Sequence, residues 1–94
     1  MRTAAKVDAN QPEIVNALRQ IGCSVLLTHQ LGKGAPDLVV GYRGVNFMLE
    51  VKDGNKPPSR RELTPDEVKF HDEWNGDIRI VESVEDAIGV VTND

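Results

Sequence analysis

Cysteine occurs once, at Cys23, which excludes an internal disulfide and a cysteine-based zinc cluster and makes a reducing, cytoplasmic compartment the expectation. The first residues lack the apolar run of a signal peptide, and no stretch is long enough to span a bilayer, so no membrane partner is expected. No segment matches a Walker loop or a dinucleotide fingerprint, and nucleotide-cradle readings fall away. Internal repeats, low-complexity tracts and linkers are missing too. Bases are the minority charge, and a net charge of −4 would argue against a polyanionic partner if it were evenly spread.

It is not evenly spread. Residues 29–61 hold six bases against three acids, a local charge of +3, whereas residues 62–94 hold two bases against ten acids. Local charge steers a polyanion, so the middle third is where one would dock. With 94 residues, 39% hydrophobic and 28% charged, the chain is sized for one soluble domain over 1–94, with 1–9 and 92–94 frayed.

The chain is organised around Asp37–Lys52. Two apolar runs rich in β-branched residues flank a Gly-containing turn, the pattern of a β-hairpin. With Arg43-Gly44 as a two-residue loop, Tyr42 faces Val45, and equal steps outward bring Asp37 opposite Glu50. Like charges so placed repel, which calls for a cation between them. Lys52, two residues beyond Glu50, points to the same side, while Val45, Phe47, Leu49 and Val51 form the opposite, core-forming face. The bland alternative is a solvated face with a Glu50–Lys52 surface pair worth at most about 1 kcal/mol.

Upstream, Asn10 caps a helix with Pro12 in its first turn and Glu13 as the acid of a capping box; Ile14, Ala17, Leu18 and Ile21 recur at helical spacing, and Gly22 ends it. Glu13 could also reach the hairpin's cation. Cys23–Thr28 reads as a strand, followed by a loop in which His29 and Gln30 are candidate site lining. Downstream, an irregular Pro- and Gly-containing segment carries Lys56, Arg60 and Arg61; with Lys33 these are candidate phosphate contacts. Thr64, Pro65 and Glu67 announce a second helix that runs to Trp74, with Val68, His71 and Trp74 on its inner stripe. Ile78–Val81 is a short strand, and Ser83 caps a last helix. The fold class is α/β, a small mixed sheet flanked by helices in the order α-β-β-β-α-β-α.

Pro36-Asp37, twelve residues, then Glu50-Val51-Lys52, preceded by a helix bearing Glu13, resembles the PD-(D/E)XK nuclease superfamily. Gly34–Leu38, Leu63-Thr64-Pro65 and Phe70-His71 make the chain resemble its VRR-NUC (virus-type replication-repair nuclease) branch, from about Gln11 to Val91. The resemblance implies a restriction-endonuclease-like core and Mg²⁺- or Mn²⁺-dependent hydrolysis of DNA phosphodiesters. It casts Asp37, Glu50, Glu13 and the Val51 carbonyl as metal ligands. Lys52 becomes the residue that orients or helps deprotonate the attacking water and stabilises the phosphorane. It further implies a free-standing endonuclease of DNA repair that cuts branched DNA such as four-way (Holliday) junctions as a homodimer, in the cytoplasm of its cell or, if phage-encoded, of the host. Alternatives are a flap or restriction-like nuclease, a non-catalytic nucleic-acid-binding module, and a subunit that needs a larger partner.

Overall fold

A computed structural model describes residues 7–93. Its elements are α1 (Gln11–Gln20), β1 (Ser24–Leu27), β2 (Leu38–Tyr42), β3 (Val45–Val51), α2 (Pro65–Glu73), β4 (Ile78–Val81) and α3 (Val84–Thr92). Short 3-10 turns at His29–Leu31 and Pro58–Arg60 lie in the connections. The four strands make one sheet in the order β1-β2-β3-β4; the first three are an antiparallel meander, and β4 joins β3 in parallel after the α2 crossover. The architecture is the mixed α/β fold expected from the sequence.

The hairpin sets the register. Arg43 and Gly44 both have positive φ, 51° and 81°, as a two-residue turn between twisted strands demands. Tyr42 pairs with Val45 and Leu38 with Leu49, so the next step outward sets Asp37 against Glu50. Arg43 folds its guanidinium over the Tyr42 ring, 4.9 Å from the centroid.

One face of the sheet is dry. Leu38, Val40, Leu49, Val51 and Val81 pack against Ile14, Val15 and Leu18 of α1 and Ala87 and Val91 of α3. Strand alternation sends Glu50 to the other face, where α2 meets it. Three sequence expectations fail here. Val45 is 52% exposed, because it sits at the hairpin tip beyond the helices' cover. Val68 and Trp74 are 44% and 45% exposed, and no residue of α2 is buried; the ring of Trp74 stacks on Phe70 instead of entering a core. Asn10 makes no cap hydrogen bond to α1. Its amide donates to the carbonyls of Lys52 (3.1 Å) and Glu82 (3.2 Å), tying together the ends of β3 and β4.

The expected fraying falls partly on residues 1–6 and 94, outside the described residues. Of the remainder, Asp8 is engaged in an ion pair and Thr92 belongs to α3, whose end Asn93 caps through its backbone. Ser83 and Thr64 cap their helices as the sequence indicates, Thr64 in a full capping box with Glu67.

Candidate active site

Asp37 enters β2 from a buried Pro36 and is held by the next strand: the Val51 amide donates to its Oδ2 at 2.7 Å. Glu50 is only 2% exposed, and its carboxyl lies against that of Asp37. Burial, then the Asp37 carboxyl, then Glu67 push the Glu50 pKa up to about 10. Burial also raises Asp37, although the hydrogen bonds from Glu50 and the Val51 amide partly offset it. Of the two carboxyls Glu50 is therefore the one that keeps its proton at neutral pH in the metal-free chain.

Lys52 follows on the same side, 8% exposed, with its Nζ 4.0 Å from Glu50 Oε2 and 2.8 Å from Glu67 Oε1. Burial works against its charge, but the bond to Glu67 and the fields of Glu67, Glu50 and Asp8 outweigh it, and the pKa is raised. Burial likewise works to raise Glu67, yet the Lys52 ammonium and the Thr64 amide leave its pKa lowered. Lys52 and Glu67 are thus a charged, nearly buried pair.

Asp37, Glu50, Val51 and Lys52 open onto a cavity of about 570 Å³. Its rim adds Asp8, Lys56, Arg60, Glu62, Thr64 and Glu67. Asp37, Glu50, Val51 and Lys52 are therefore brought together, and Lys56 and Arg60 join them. Glu13 is not. It is exposed in the first turn of α1, one residue off that helix's buried Ile14–Leu18 stripe. It borders a separate cavity with Asn10, Asp53, Glu82 and Asp86. The acid that does approach from the N-terminal side is Asp8, which also pairs with Lys56 at 3.2 Å.

His29 faces a small cavity beside α1 and Gln30 is exposed in its 3-10 turn, so neither lines the Asp37 cavity. Lys33 borders a cleft with Asp66, Lys69, Phe70 and Glu73 of α2. Arg61 turns inward, bonding to the Lys56 carbonyl at 2.7 Å and to Glu82 at 3.1 Å. Sequence reasoning missed Asp8, gave Glu67 only its capping role and left the part played by His71 open, although Glu67 and His71 both belong to the site face of α2. The signal for both was their spacing of four on α2, which puts them on one helix face.

Among the described residues no three His, Cys, Asp or Glu side chains stand together as a ready-made metal cage. What the cavity offers is two adjacent carboxyls, a lysine and an open side. No helix among the described residues is long and apolar enough to cross a membrane.

No family model matches the sequence, and no curated protein matches it. Among solved structures, one described as "VRR_NUC domain" aligns over 92% of this chain and 98% of its own length, with a TM-score of 0.64 and 23% identity. The chain therefore has the fold of a VRR_NUC domain.

Proposed function

We propose that this chain is a metal-dependent endodeoxyribonuclease that hydrolyses phosphodiester bonds in branched DNA, four-way junctions foremost, as a two-fold homodimer in the cytoplasm. The observation that carries the reading is the pair Asp37 and Glu50, on adjacent strands, opening with Lys52 onto one cavity. The VRR_NUC likeness of the fold supports it.

The residues present fit a hard divalent cation. Buried Glu50 and half-buried Asp37 lie side by side, and among the described residues neither carboxyl has a cation within hydrogen-bonding distance. A cation would supply what both lack. Asp37, Glu50 and the Val51 carbonyl would hold Mg²⁺ or Mn²⁺; Glu13 is left out, since it borders another cavity. One or two carboxylates with several open positions is how Mg²⁺ is commonly bound beside phosphate. When bound, such an ion polarises the phosphate and makes water a better nucleophile.

The chain's own groups do the rest. Lys52, held by Glu67, acts as an ammonium that orients the attacking water and stabilises charge on the phosphate. Arg60 and Lys56 at the rim contact flanking phosphates. Asp37 is fixed by the Val51 amide, so one ligand is oriented before substrate arrives.

The test is a nicking assay on four-way junction, flap and linear duplex DNA with Mg²⁺ or Mn²⁺, comparing the wild type with Lys52→Ala, alongside gel filtration. Junction cleavage by a dimer, lost in the variant, is the expected result. Equal cleavage by both proteins removes Lys52 from the mechanism. Absence of wild-type cleavage on every substrate overturns the enzyme reading in favour of a binding module.

A further inference from the structure

We infer that His71 is a positioning residue for Glu50, and that α2 serves the site through a two-residue polar stripe, Glu67 on Lys52 and His71 on Glu50. This role rests on the nuclease reading above.

Glu67 and His71 are four residues apart on α2 and so share a face. That face lies over the open side of the sheet, and each residue addresses a different group of the site. Glu67 reaches Lys52 at 2.8 Å. His71 Nε2 stands 3.8 Å from Glu50 Oε1. Both of these atoms are buried, and neither has a hydrogen-bond partner among the described residues.

An unpartnered buried polar atom costs about 1–3 kcal/mol, and here two of opposite hydrogen-bonding capacity face each other. The gap exceeds an N–H···O bond by only about 0.9 Å. A small rotation of either side chain closes it, with His71 Nε2–H donating to Glu50 Oε1. Glu50 Oε2 faces Lys52, so the two oxygens of this carboxyl are addressed separately, one by α2 directly and one by the lysine that α2 holds. Hydrogen-bond donors to a ligating carboxylate fix its orientation, and losing one typically weakens metal affinity or activity about 10–100-fold. No residue of α2 is fully buried; Glu67 and His71 are half-buried, each turned to a group of the site.

The test compares wild type, His71→Phe and His71→Gln at one fixed pH. Phe keeps the ring shape without a donor, whereas Gln restores an N–H at similar reach. Mn²⁺ binding is read by calorimetry, and kcat and KM are read on junction DNA. The role predicts Mn²⁺ binding weakened about 10–100-fold and kcat lowered in His71→Phe, with KM for DNA unchanged and most of both recovered in His71→Gln. His71→Phe behaving like wild type overturns it, as does an equal fall in both variants when both are folded. Should either variant unfold, ring ¹⁵N shifts of wild-type His71 decide: the Nε2–H tautomer, moving on Mg²⁺ addition, supports the role, and the Nδ1–H tautomer overturns it. Wild-type protein that neither binds Mn²⁺ nor cuts DNA overturns the nuclease reading and this role with it, an outcome distinct from failure of His71 alone.

Discussion

The Lys52 ammonium is held by Glu67 at 2.8 Å and stands back from Glu50 at 4.0 Å. The same Glu67 carboxylate accepts from the Thr64 amide at 2.9 Å, closing the capping box of α2. One oxygen thus joins the start of a helix to the lysine of the site. Removing one partner of a nearly buried pair leaves the other uncompensated, at about 3–5 kcal/mol. Thermal unfolding should therefore show Glu67→Ala to be strongly destabilised. Glu67→Gln keeps a cap-competent amide and should lose clearly less. Equal losses would mean that Lys52 does not depend on the charge of Glu67.

Glu50 gives the metal-free protein an unusual pH dependence. Its pKa is about 10 in the folded chain against an ordinary 4.5, so between those values the folded state holds a proton that the unfolded state has released. Stability contributed by this group is full below about 4.5 and is lost as pH rises toward 10. Glu50→Gln removes that loss, because a neutral amide needs no proton. At pH 8 the metal-free variant should melt above wild type, by about 4–8 °C for each kcal/mol relieved. Mn²⁺ should raise the wild-type Tm and leave the variant unmoved. A variant that melts below wild type at pH 8 would contradict a buried Glu50 that keeps its proton in the metal-free chain.

The hairpin was legible because its information is local: a Gly-containing two-residue turn plus a period of two fixes which side chains oppose, and Asp37 and Glu50 follow by counting. α2 was misread for a related reason. Its apolar residues at helical spacing, Val68 and Trp74, looked like a core stripe, but the face it docks carries Glu67 and His71, answering a polar site that periodicity cannot see. Asn10 satisfies every local rule for a helix cap and yet spends its amide on Lys52 and Glu82, 42 and 72 residues away. Glu13 lies on another cavity and Asp8 on this one, a placement set by the path of the chain ahead of α1, which has no periodic signal.

Gly34 and Gly44 both have positive φ, 80° and 81°, but their surroundings differ. A Cβ at Gly44 would meet open space, whereas one at Gly34 would fall on the Asp66 carbonyl in the first turn of α2. Gly44→Ala should cost only the strain of the turn, about 1 kcal/mol. Gly34→Ala adds a backbone clash that must push the loop or the helix aside, and it should cost at least about 2 kcal/mol more. Because the first turn of α2 carries Glu67, junction cleavage should fall in Gly34→Ala and stay near wild type in Gly44→Ala. Matching activities would show that the loop does not seat α2.

Arg60 and Arg61 are neighbours with different duties. Arg60 is exposed at the cavity rim and has no ion-pair partner among the described residues. Arg61 bonds to the Lys56 carbonyl and to Glu82. Arg60→Ala should leave the melting temperature unchanged, weaken DNA binding similarly across sequences, and reduce the slope of log affinity against log salt by about 1, the signature of one lost phosphate contact. Arg61→Ala should do the reverse, lowering stability by about 1 kcal/mol with the salt slope intact. Paired melting curves and salt-titrated DNA binding would read both. A reduced salt slope in Arg61→Ala would return that residue to the DNA-contacting set, and an unchanged slope in Arg60→Ala would move the phosphate path away from this rim.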